Sequence, residues 1–198
     1  DSSGNVYVMG YTDGGLDSNS NLGCDDFFVV KYNSSGTKQW TIQQGSSGCE
    51  NAYGIVFDSS GYFYVTGKTG GDLYGNTHAG GGDAFVVKYN SSGTRQWARM
   101  HGSTNDDRPY GVATDSSGNV YISGTTHDQI SGSGTRDIFV VKYNSSGTKQ
   151  WERELGSAGH ENGKGVATDS SGNVYVTGYT DGGLDSNSSA GNDDLFLI

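Results

Sequence analysis

The sequence DSSGNVYISG, residues 115–124, decides the fold, because four versions of it occur in the chain. The other copies are DSSGNVYVMG at 1–10, DSSGYFYVTG at 58–67 and DSSGNVYVTG at 169–178, so the repeat returns every 54 to 57 residues. A fixed period of this size marks a supersecondary unit that cannot bury its own apolar face and packs on copies of itself. The sequence therefore predicts a single repeat array over residues 1–198. Its predicted units are 1–45, 46–102, 103–156 and 157–198.

Each unit is predicted to contain four antiparallel strands. The turns DSSG at 58–61 and NSSG at 90–93 are short and place glycine where positive φ is needed, which is typical of tight hairpins. In the strand between them, Phe85, Val87 and Tyr89 alternate with residues of the opposite side. Four strands per repeat of about 54–57 residues indicate an all-β propeller with about three and a half repeats present. A sandwich or solenoid is the alternative.

The segment GVATDSSGNVYISG at 111–124, followed by DIFVVKYNSSGTKQW at 137–151, resembles the bacterial and archaeal SBBP repeat, a β-propeller family related to NHL-type blades. The resemblance covers essentially the whole chain. It implies a secreted or cell-surface protein whose repeats act as scaffolds or interaction modules, and it supplies no catalytic residue. The family's name implies seven blades, so we expect a fragment of a larger protein or one part of an oligomeric ring.

Composition narrows the classes of partner. The formal net charge of −10 disfavours nucleic acid, which is bound through clustered Lys and Arg side chains. No apolar run is long enough to cross a bilayer. There is also no GxSxG nucleophile motif and no His pattern with metal-ligand spacing, so we expect a protein that is not an enzyme.

Binding residues are expected on the long loops, at the end of the strands opposite the two hairpins. Three acids that precede the first strand of a unit are predicted to form a ring of negative charge near a central opening, with a solvated rim as the alternative. These acids are Glu50, Asp107 and Glu161. The other candidate binding residues are Asp13, Asp17, Asn19, Asp72, Asp128, Asp181, Asp185 and Asn187.

Two of the long loops suggest calcium, the one cofactor for which the sequence offers a ligand set. Ca²⁺ takes several oxygen ligands, and flexible loops rich in Asp and Asn can provide them. Neither loop matches the EF-hand pattern, and turn formation by these residues is the alternative. The two candidate sets are Asp13, Asp17 and Asn19, and their copies Asp181, Asp185 and Asn187.

Other recurring residues are predicted to be structural. An Asp lies two residues before a recurrent Phe in every unit, where its carboxylate can accept backbone N–H groups at the start of a strand. One Trp per unit is predicted to pack between neighbouring units. The aspartates are Asp26, Asp83, Asp137 and Asp194, and the tryptophans are Trp40, Trp97 and Trp151.

The two cysteines occur in the same unit, Cys24 in one long loop and Cys49 in the next. Their joint presence favours a disulfide that ties the two loops together, with two free buried thiols as the alternative. A disulfide fits an oxidising, extracellular setting.

These patterns favour a non-enzymatic extracellular or cell-surface module for adhesion, assembly or surface display, with a protein or glycan partner. One alternative is a carbohydrate-binding or carbohydrate-cleaving propeller in which Tyr53, Tyr74 and Tyr110 stack on sugar rings. Another is a self-assembling subunit of a ring or filament that joins through its terminal units. Residues 169–188 copy residues 1–20 except for Thr177 in place of Met9, so one copy could stand in for the other.

Overall fold

A computed structural model of the chain describes residues 1–128, 136–184 and 186–198. Within these residues all regular structure is β, in four sheets. The first sheet contains β1 (Val6–Thr12), β2 (Asp26–Tyr32) and β3 (Lys38–Gln44). The second contains β4 (Glu50–Phe57), β5 (Phe63–Thr69), β6 (Asp83–Tyr89) and β7 (Arg95–His101). The third contains β8 (Asp107–Thr114), β9 (Val120–Thr126), β10 (Asp137–Tyr143) and β11 (Lys149–Leu155). The fourth contains β12 (Glu161–Thr168), β13 (Val174–Thr180) and β14 (Asp194–Leu197).

Within each sheet, strands that follow one another in sequence pair antiparallel, which gives two sheets of three strands and two of four. The prediction of an all-β chain is confirmed, and sheets of this kind are consistent with propeller repeats. Within the described part of the chain no helix has the length and apolarity to cross a membrane.

Asp and Asn side chains close the hairpins. Asp58 Oδ1 accepts hydrogen bonds from the backbone N–H groups of Ser60 and Tyr62, at 2.9 and 3.0 Å, and Gly61 adopts a φ of +81°. The side chain thus replaces a backbone partner, and glycine supplies the left-handed conformation at no steric cost. The same geometry recurs at the other DSSG turns, with Asn in place of Asp at the NSSG turns.

The core lies between successive sheets, because each central strand divides its side chains between two neighbours. Phe85 and Val87 belong to the apolar cluster shared with the first sheet, whereas Ala84 and Val86 belong to the cluster shared with the third. A third cluster joins the third and fourth sheets. The alternation read from the sequence therefore serves two interfaces, which explains why β6 is buried along its whole length.

The tryptophans of β3, β7 and β11 contact these interfaces. Trp97 Nε1 donates to the carbonyl oxygen of Ser145 on the next sheet at 3.1 Å. Trp40 stacks on Phe63 of the second sheet with ring centroids 5.9 Å apart, and Trp151 packs on the cluster between the third and fourth sheets. Each ring thus adds apolar contact between neighbouring sheets.

The first strands of the sheets lie side by side. Strand β4 packs against β8, and β8 packs against β12, while β1 packs against β4. We call β4, β8 and β12 the inner strands. The hairpin turns lie at one end of the sheets, the hairpin end, and the long loops lie at the other, the loop end.

Candidate interaction surface along the inner strands

A β-bulge interrupts each inner strand at the same position. In β4 the pairing with β5 passes from Ala52 to Gly54, so Tyr53 has no partner across the ladder. The equivalent unpaired residues are Tyr110 in β8 and Lys164 in β12. A bulge bends its strand and turns the extra residue away from the regular pattern, which is why bulges often serve to aim a side chain.

Glycines opposite the bulges make them sterically feasible. A Cβ on Gly67 would lie 2.1 Å from the carbonyl oxygen of Asn51, far inside van der Waals contact. Gly124 and Gly178 occupy the same place in the third and fourth sheets, where a Cβ would lie 2.0 Å from the opposing carbonyl oxygen. The final glycine of the repeated ten-residue motif is therefore required by the bulge.

The three bulged side chains form a continuous row. The rings of Tyr53 and Tyr110 stack with centroids 5.8 Å apart and an interplanar angle of 29°. Lys164 Nζ lies 3.9 Å from the centroid of Tyr110 and 5.4 Å from that of Tyr179. Tyr53 is 36% exposed, so the row combines stacked aromatic area with access to solvent.

Charged residues extend the row toward the loop end. Asp106 accepts from Lys68 at 2.6 Å and from Arg108 at 2.5 Å. Burial acts to raise the pKa of Asp106, but the hydrogen bonds from these two cations outweigh it, and the pKa lies below its ordinary value. The seven residues that we call the inner surface are Tyr53, Lys68, Asp106, Arg108, Tyr110, Lys164 and Tyr179.

The sign of charge on the inner surface is opposite to that of the chain. It carries three cations and one acid, whereas the whole chain has a net charge of −10. Tyr53 stays neutral at pH 7, since burial, and after it the neighbouring Tyr110, raises its pKa above the ordinary value of 10.0. The inner surface can therefore attract a carboxylate while offering flat aromatic area beside it.

The predicted ring of solvent-facing negative charge is wrong. Glu50 and Glu161 are 0% exposed and Asp107 is 2% exposed. Glu50 accepts hydrogen bonds from Ser46 N, Ser46 Oγ and Thr69 Oγ1, each at 2.6 Å. A loop folded over each acid satisfies its oxygens, so these residues hold the loop end together instead of meeting a partner.

In the proposed calcium loops the two asparagines make turns, and Asp17 is held by other side chains. Asn19 and Asn187 each donate a side-chain hydrogen bond to the carbonyl oxygen three residues earlier, at 2.7 and 3.2 Å. Asp17 binds Lys38 at 2.5 Å and also Thr41, and the hydrogen bond from Lys38 is the main reason that its pKa is lowered. Asp13 is exposed, and Asp185 lies outside the described residues. Asp17 would have to leave Lys38 to bind a cation.

Three further loop acids accept hydrogen bonds from nearby loop groups. Asp72 accepts from the backbone of His78 at 2.7 Å, and Asp181 accepts from the backbone of His160 at 2.5 Å. Asp128 accepts from Ser103 and Asn105 at 2.9 and 2.8 Å. These carboxylates fix loop conformation at the loop end.

The recurrent aspartates lie at the start of strands, and all but the half-buried Asp194 are buried. Asp83 accepts from the backbone N–H of Ala79 at 2.7 Å, and Asp194 accepts from Ala190 at the same distance. Asp26 accepts from the backbone N–H of Leu22 at 3.2 Å and from the side chain of Gln43 at 3.0 Å. Asp137 is equally buried.

Cys24 and Cys49 form a disulfide with Cα atoms 4.8 Å apart, as the sequence predicts. Together with Asp25 they are the one set of three clustered Cys, His, Asp or Glu side chains within the described ranges. Because both sulfur atoms are joined to each other, this cluster is a loop clamp in the oxidised chain.

Sequence reasoning found only part of the inner surface. Tyr53 and Tyr110, predicted as sugar-stacking residues, lie together, but Tyr74 lies elsewhere, with its ring 3.8 Å from Arg95 and its hydroxyl 2.9 Å from Tyr89. Lys164 was missed. The signal that could have found it is a variable residue between two small ones in each first strand, because glycine inside a strand often marks a bulge.

Comparison with known proteins agrees with this architecture. The SBBP β-propeller repeat matches residues 39–75, 96–135 and 150–185, more than half of the chain. Regulatory protein FlaEY of Caulobacter vibrioides is 27% identical over 149 residues, covering 70% of this chain and 15% of that protein. An uncharacterized WD repeat-containing protein of Acanthamoeba polyphaga mimivirus is 30% identical over 126 residues, covering 54% of this chain and 9% of that protein. The chain thus spans a small part of either relative. The family match identifies the chain as a member of the SBBP β-propeller repeat family.

Proposed function

We propose that this chain is a set of propeller blades, up to four strands each, and that it works as a non-enzymatic interaction module. The family match and the side-by-side inner strands support this arrangement. The name of the Caulobacter relative describes a regulatory protein, and regulation through binding is in keeping with a module of this kind.

The partner in this proposal is a protein segment that carries carboxylates beside an apolar or aromatic side chain. Lys68, Arg108 and Lys164 provide charge for the carboxylates, and the Tyr53–Tyr110 stack provides rigid contact area. The remaining acids of the chain repel such a segment only weakly, because at physiological salt charges are screened beyond about 8 Å. The row of bulged side chains is the single observation that carries the proposal.

An extracellular or cell-surface location completes this proposal. The Cys24–Cys49 disulfide supports it, since disulfides persist in oxidising compartments. Recovery of the native protein with this bond formed, from the surface or medium of its own cells, is the expected result. A cytosolic pool with both thiols free would contradict the location without touching the binding surface.

Fluorescence anisotropy can test the binding surface. The probe is a fluorescein-labelled peptide of Glu and Tyr residues, with a copy in which every Glu is Gln as the matched control. We expect the Glu peptide to bind, to weaken as salt rises, and to lose at least about tenfold in affinity to the triple variant Y53A/Y110A/K164A. Arg153→Ala, which removes a cation on the outer strand β11, should leave binding unchanged. Equal binding of both peptides, no binding of either, or full binding to the triple variant would refute the proposal.

Self-association is a second candidate function. Strand β14 exposes Leu195 by 87% and Leu197 by 63%, and β1 exposes Val6 by 56%. Exposed apolar edge strands are templates for pairing with another chain. Mass measurement by sedimentation should show a concentration-dependent assembly that Leu195→Asp weakens, whereas a monomer at all concentrations would exclude this candidate.

A further inference from the structure

A separate cavity lies at the hairpin end, between the second and third sheets. Its volume is about 580 Å³. The second unit contributes Asp58, Tyr62, Lys88 and Trp97, together with Ser59, Ser60 and Gln96. The DSSG and NSSG hairpins of the third sheet line the rest. It shares no residue with the inner surface, which lies along the first strands. We call it the hairpin cleft.

One residue that lines the hairpin cleft departs from the repeat. In the other three DSSG motifs the residue after glycine is Asn. Its side chain donates to the Asp of the motif at 2.6 to 2.8 Å. Tyr62 replaces that Asn in the second unit. An aromatic ring therefore stands at the wall of the cleft where the repeat otherwise places a turn-forming amide.

The floor of the cleft is a buried and incompletely closed ion pair. The side chains of Lys88 and Asp58 are 8% and 3% exposed, and Lys88 Nζ lies 3.7 Å from Asp58 Oδ2. That separation exceeds a direct hydrogen bond. A hydroxyl group could bridge the two, donating to the carboxylate and accepting from the ammonium, as bridging water commonly does between polar groups at this distance. Lys88 is held in place by Ser145 O at 3.2 Å and by the Tyr62 ring, whose centroid is 4.3 Å away.

The walls combine aromatic rings with hydroxyl groups. Trp97 is fixed by the hydrogen bond from its indole N–H to Ser145 O. Six serines of the surrounding hairpins also line the cleft. Aromatic side chains beside many small donors and acceptors suit a sugar ring, which has apolar C–H faces and a rim of hydroxyls. The paired charges at the floor sum to zero, so the cleft has no excess charge to attract an anion or cation.

We propose that the hairpin cleft binds a neutral saccharide of one or two rings, with Tyr62 and Trp97 contacting the ring faces and the Asp58–Lys88 pair bridged by a sugar hydroxyl. The volume matches ordinary small-molecule sites, which range from about 300 to 1,000 Å³. This site is independent of the proposed peptide-binding role of the inner surface, so either assignment can fail alone.

The test uses saturation-transfer NMR and calorimetry with four neutral disaccharides: maltose, cellobiose, lactose and N,N′-diacetylchitobiose. The deciding variant is Tyr62→Asn, which installs the residue that the other three copies carry and so should fold. We expect one of the disaccharides to bind the wild-type chain and to lose at least about tenfold in affinity to Tyr62→Asn. Tyr53→Ala on the inner surface is the matched control and should bind as the wild type does.

A second variant guards against an indirect effect of Tyr62. Lys88→Met keeps an unbranched side chain in the same buried place and removes the ammonium, so it should also weaken binding while urea unfolding reports that the fold remains. Failure of all four sugars to bind at tens of millimolar would overturn the proposal. Full binding to Tyr62→Asn, or loss of binding in Tyr53→Ala instead, would overturn it as well.

Discussion

Two positions on strand β4 differ in role: one side chain stabilises the fold and the other is available for binding. Glu50, the first residue of β4, is 0% exposed and accepts three hydrogen bonds from its own loop and from Thr69. Tyr53, three residues later, is unpaired in the ladder and 36% exposed. Glu161 and Lys164 repeat this contrast on β12. The acid that recurs at the start of each inner strand stabilises the fold. The bulged residue can vary between units, because it takes no part in the pairing of the two strands.

Removal of the buried acid should give the largest effect on stability. In Glu50→Ala the backbone N–H and the hydroxyl of Ser46 lose their acceptor inside the protein, at a cost of about 3 kcal/mol in the free energy of unfolding. Tyr53→Ala should cost less than about 1 kcal/mol, because the ring is partly in solvent. Urea unfolding measures both. Glu50→Gln, which retains one acceptor, should fall between them. If Tyr53→Ala were less stable than Glu50→Ala, the assignment of Glu50 to the fold and Tyr53 to the surface would be wrong.

The glycine opposite the bulge provides the next test. Gly67→Ala should lower the free energy of unfolding by about 2 kcal/mol, since its Cβ would lie 2.1 Å from the carbonyl oxygen of Asn51 and the backbone must move. Gly10 occupies the same place in the first sheet, where its nearest obstacle is the ring of Phe28 at 3.0 Å. Gly10→Ala is therefore the matched control and should cost less than about 1 kcal/mol. Similar costs in thermal or urea unfolding would mean that the bulge does not impose the glycine.

A smaller change in stability is expected at a buried Asp that has a side-chain donor in the first sheet and lacks that donor in the second. Gln43 donates to Asp26, but Met100 occupies the equivalent place in the second sheet, and Asp83 Oδ1 has no hydrogen-bond partner among the described residues. Burial raises the pKa of Asp83, so the fold disfavours its ionised form. Met100→Gln should supply the donor and raise the free energy of unfolding at pH 7 by about 1 kcal/mol.

The pH dependence of Met100→Gln checks the same point. A raised pKa in the folded chain means that stability is gained as pH falls through the folded pKa toward the ordinary value of 3.8. This gain should shrink in Met100→Gln. An unchanged profile would show that the glutamine does not reach Asp83.

The smallest expected effect concerns His101, whose counterpart in the first sheet is the non-titrating Gln44. Burial lowers the pKa of His101, although Glu152 at 3.3 Å opposes the shift. Because the folded pKa is below the ordinary value of 6.5, this histidine contributes stability above pH 6.5 that is lost as pH falls toward the folded pKa. The loss should be less than about 1 kcal/mol and should vanish in His101→Gln. Denaturant unfolding between pH 7 and pH 5 that is equally pH-dependent in both proteins would assign the loss to other groups.

The sequence predicted the parts of the molecule that depend on local pattern. The hairpins follow from the DSSG and NSSG turns, and the division of Phe85 and Val86 between two cores follows from alternation. The burial of Glu50 could not be predicted in this way, because it depends on a loop that folds back to bring Ser46 to its carboxylate. An acid in a polar loop looks the same in sequence whether it faces solvent or closes the loop.

The inner surface and the hairpin cleft could not be predicted either, because each depends on contacts between residues that are distant in sequence. Lys164 lies over Tyr110 only because β8 and β12 are neighbours, although they belong to different units. Tyr62 is a single substitution for the Asn of the other copies. Its role in the cleft depends on Lys88, which reaches its ring from strand β6. In both places the deciding contact joins residues that are far apart in sequence, so no local pattern predicts it.

Photo-oxidative tyrosine crosslinking, read by mass spectrometry, tests the central claim most directly. The free chain should yield a dityrosine link between Tyr53 and Tyr110, whose ring centroids are 5.8 Å apart, and the Glu and Tyr peptide should suppress that link as it covers the row. Failure of this link to form, or its formation at an unchanged yield with the peptide bound, would contradict the assignment of the bulged residues to one binding surface.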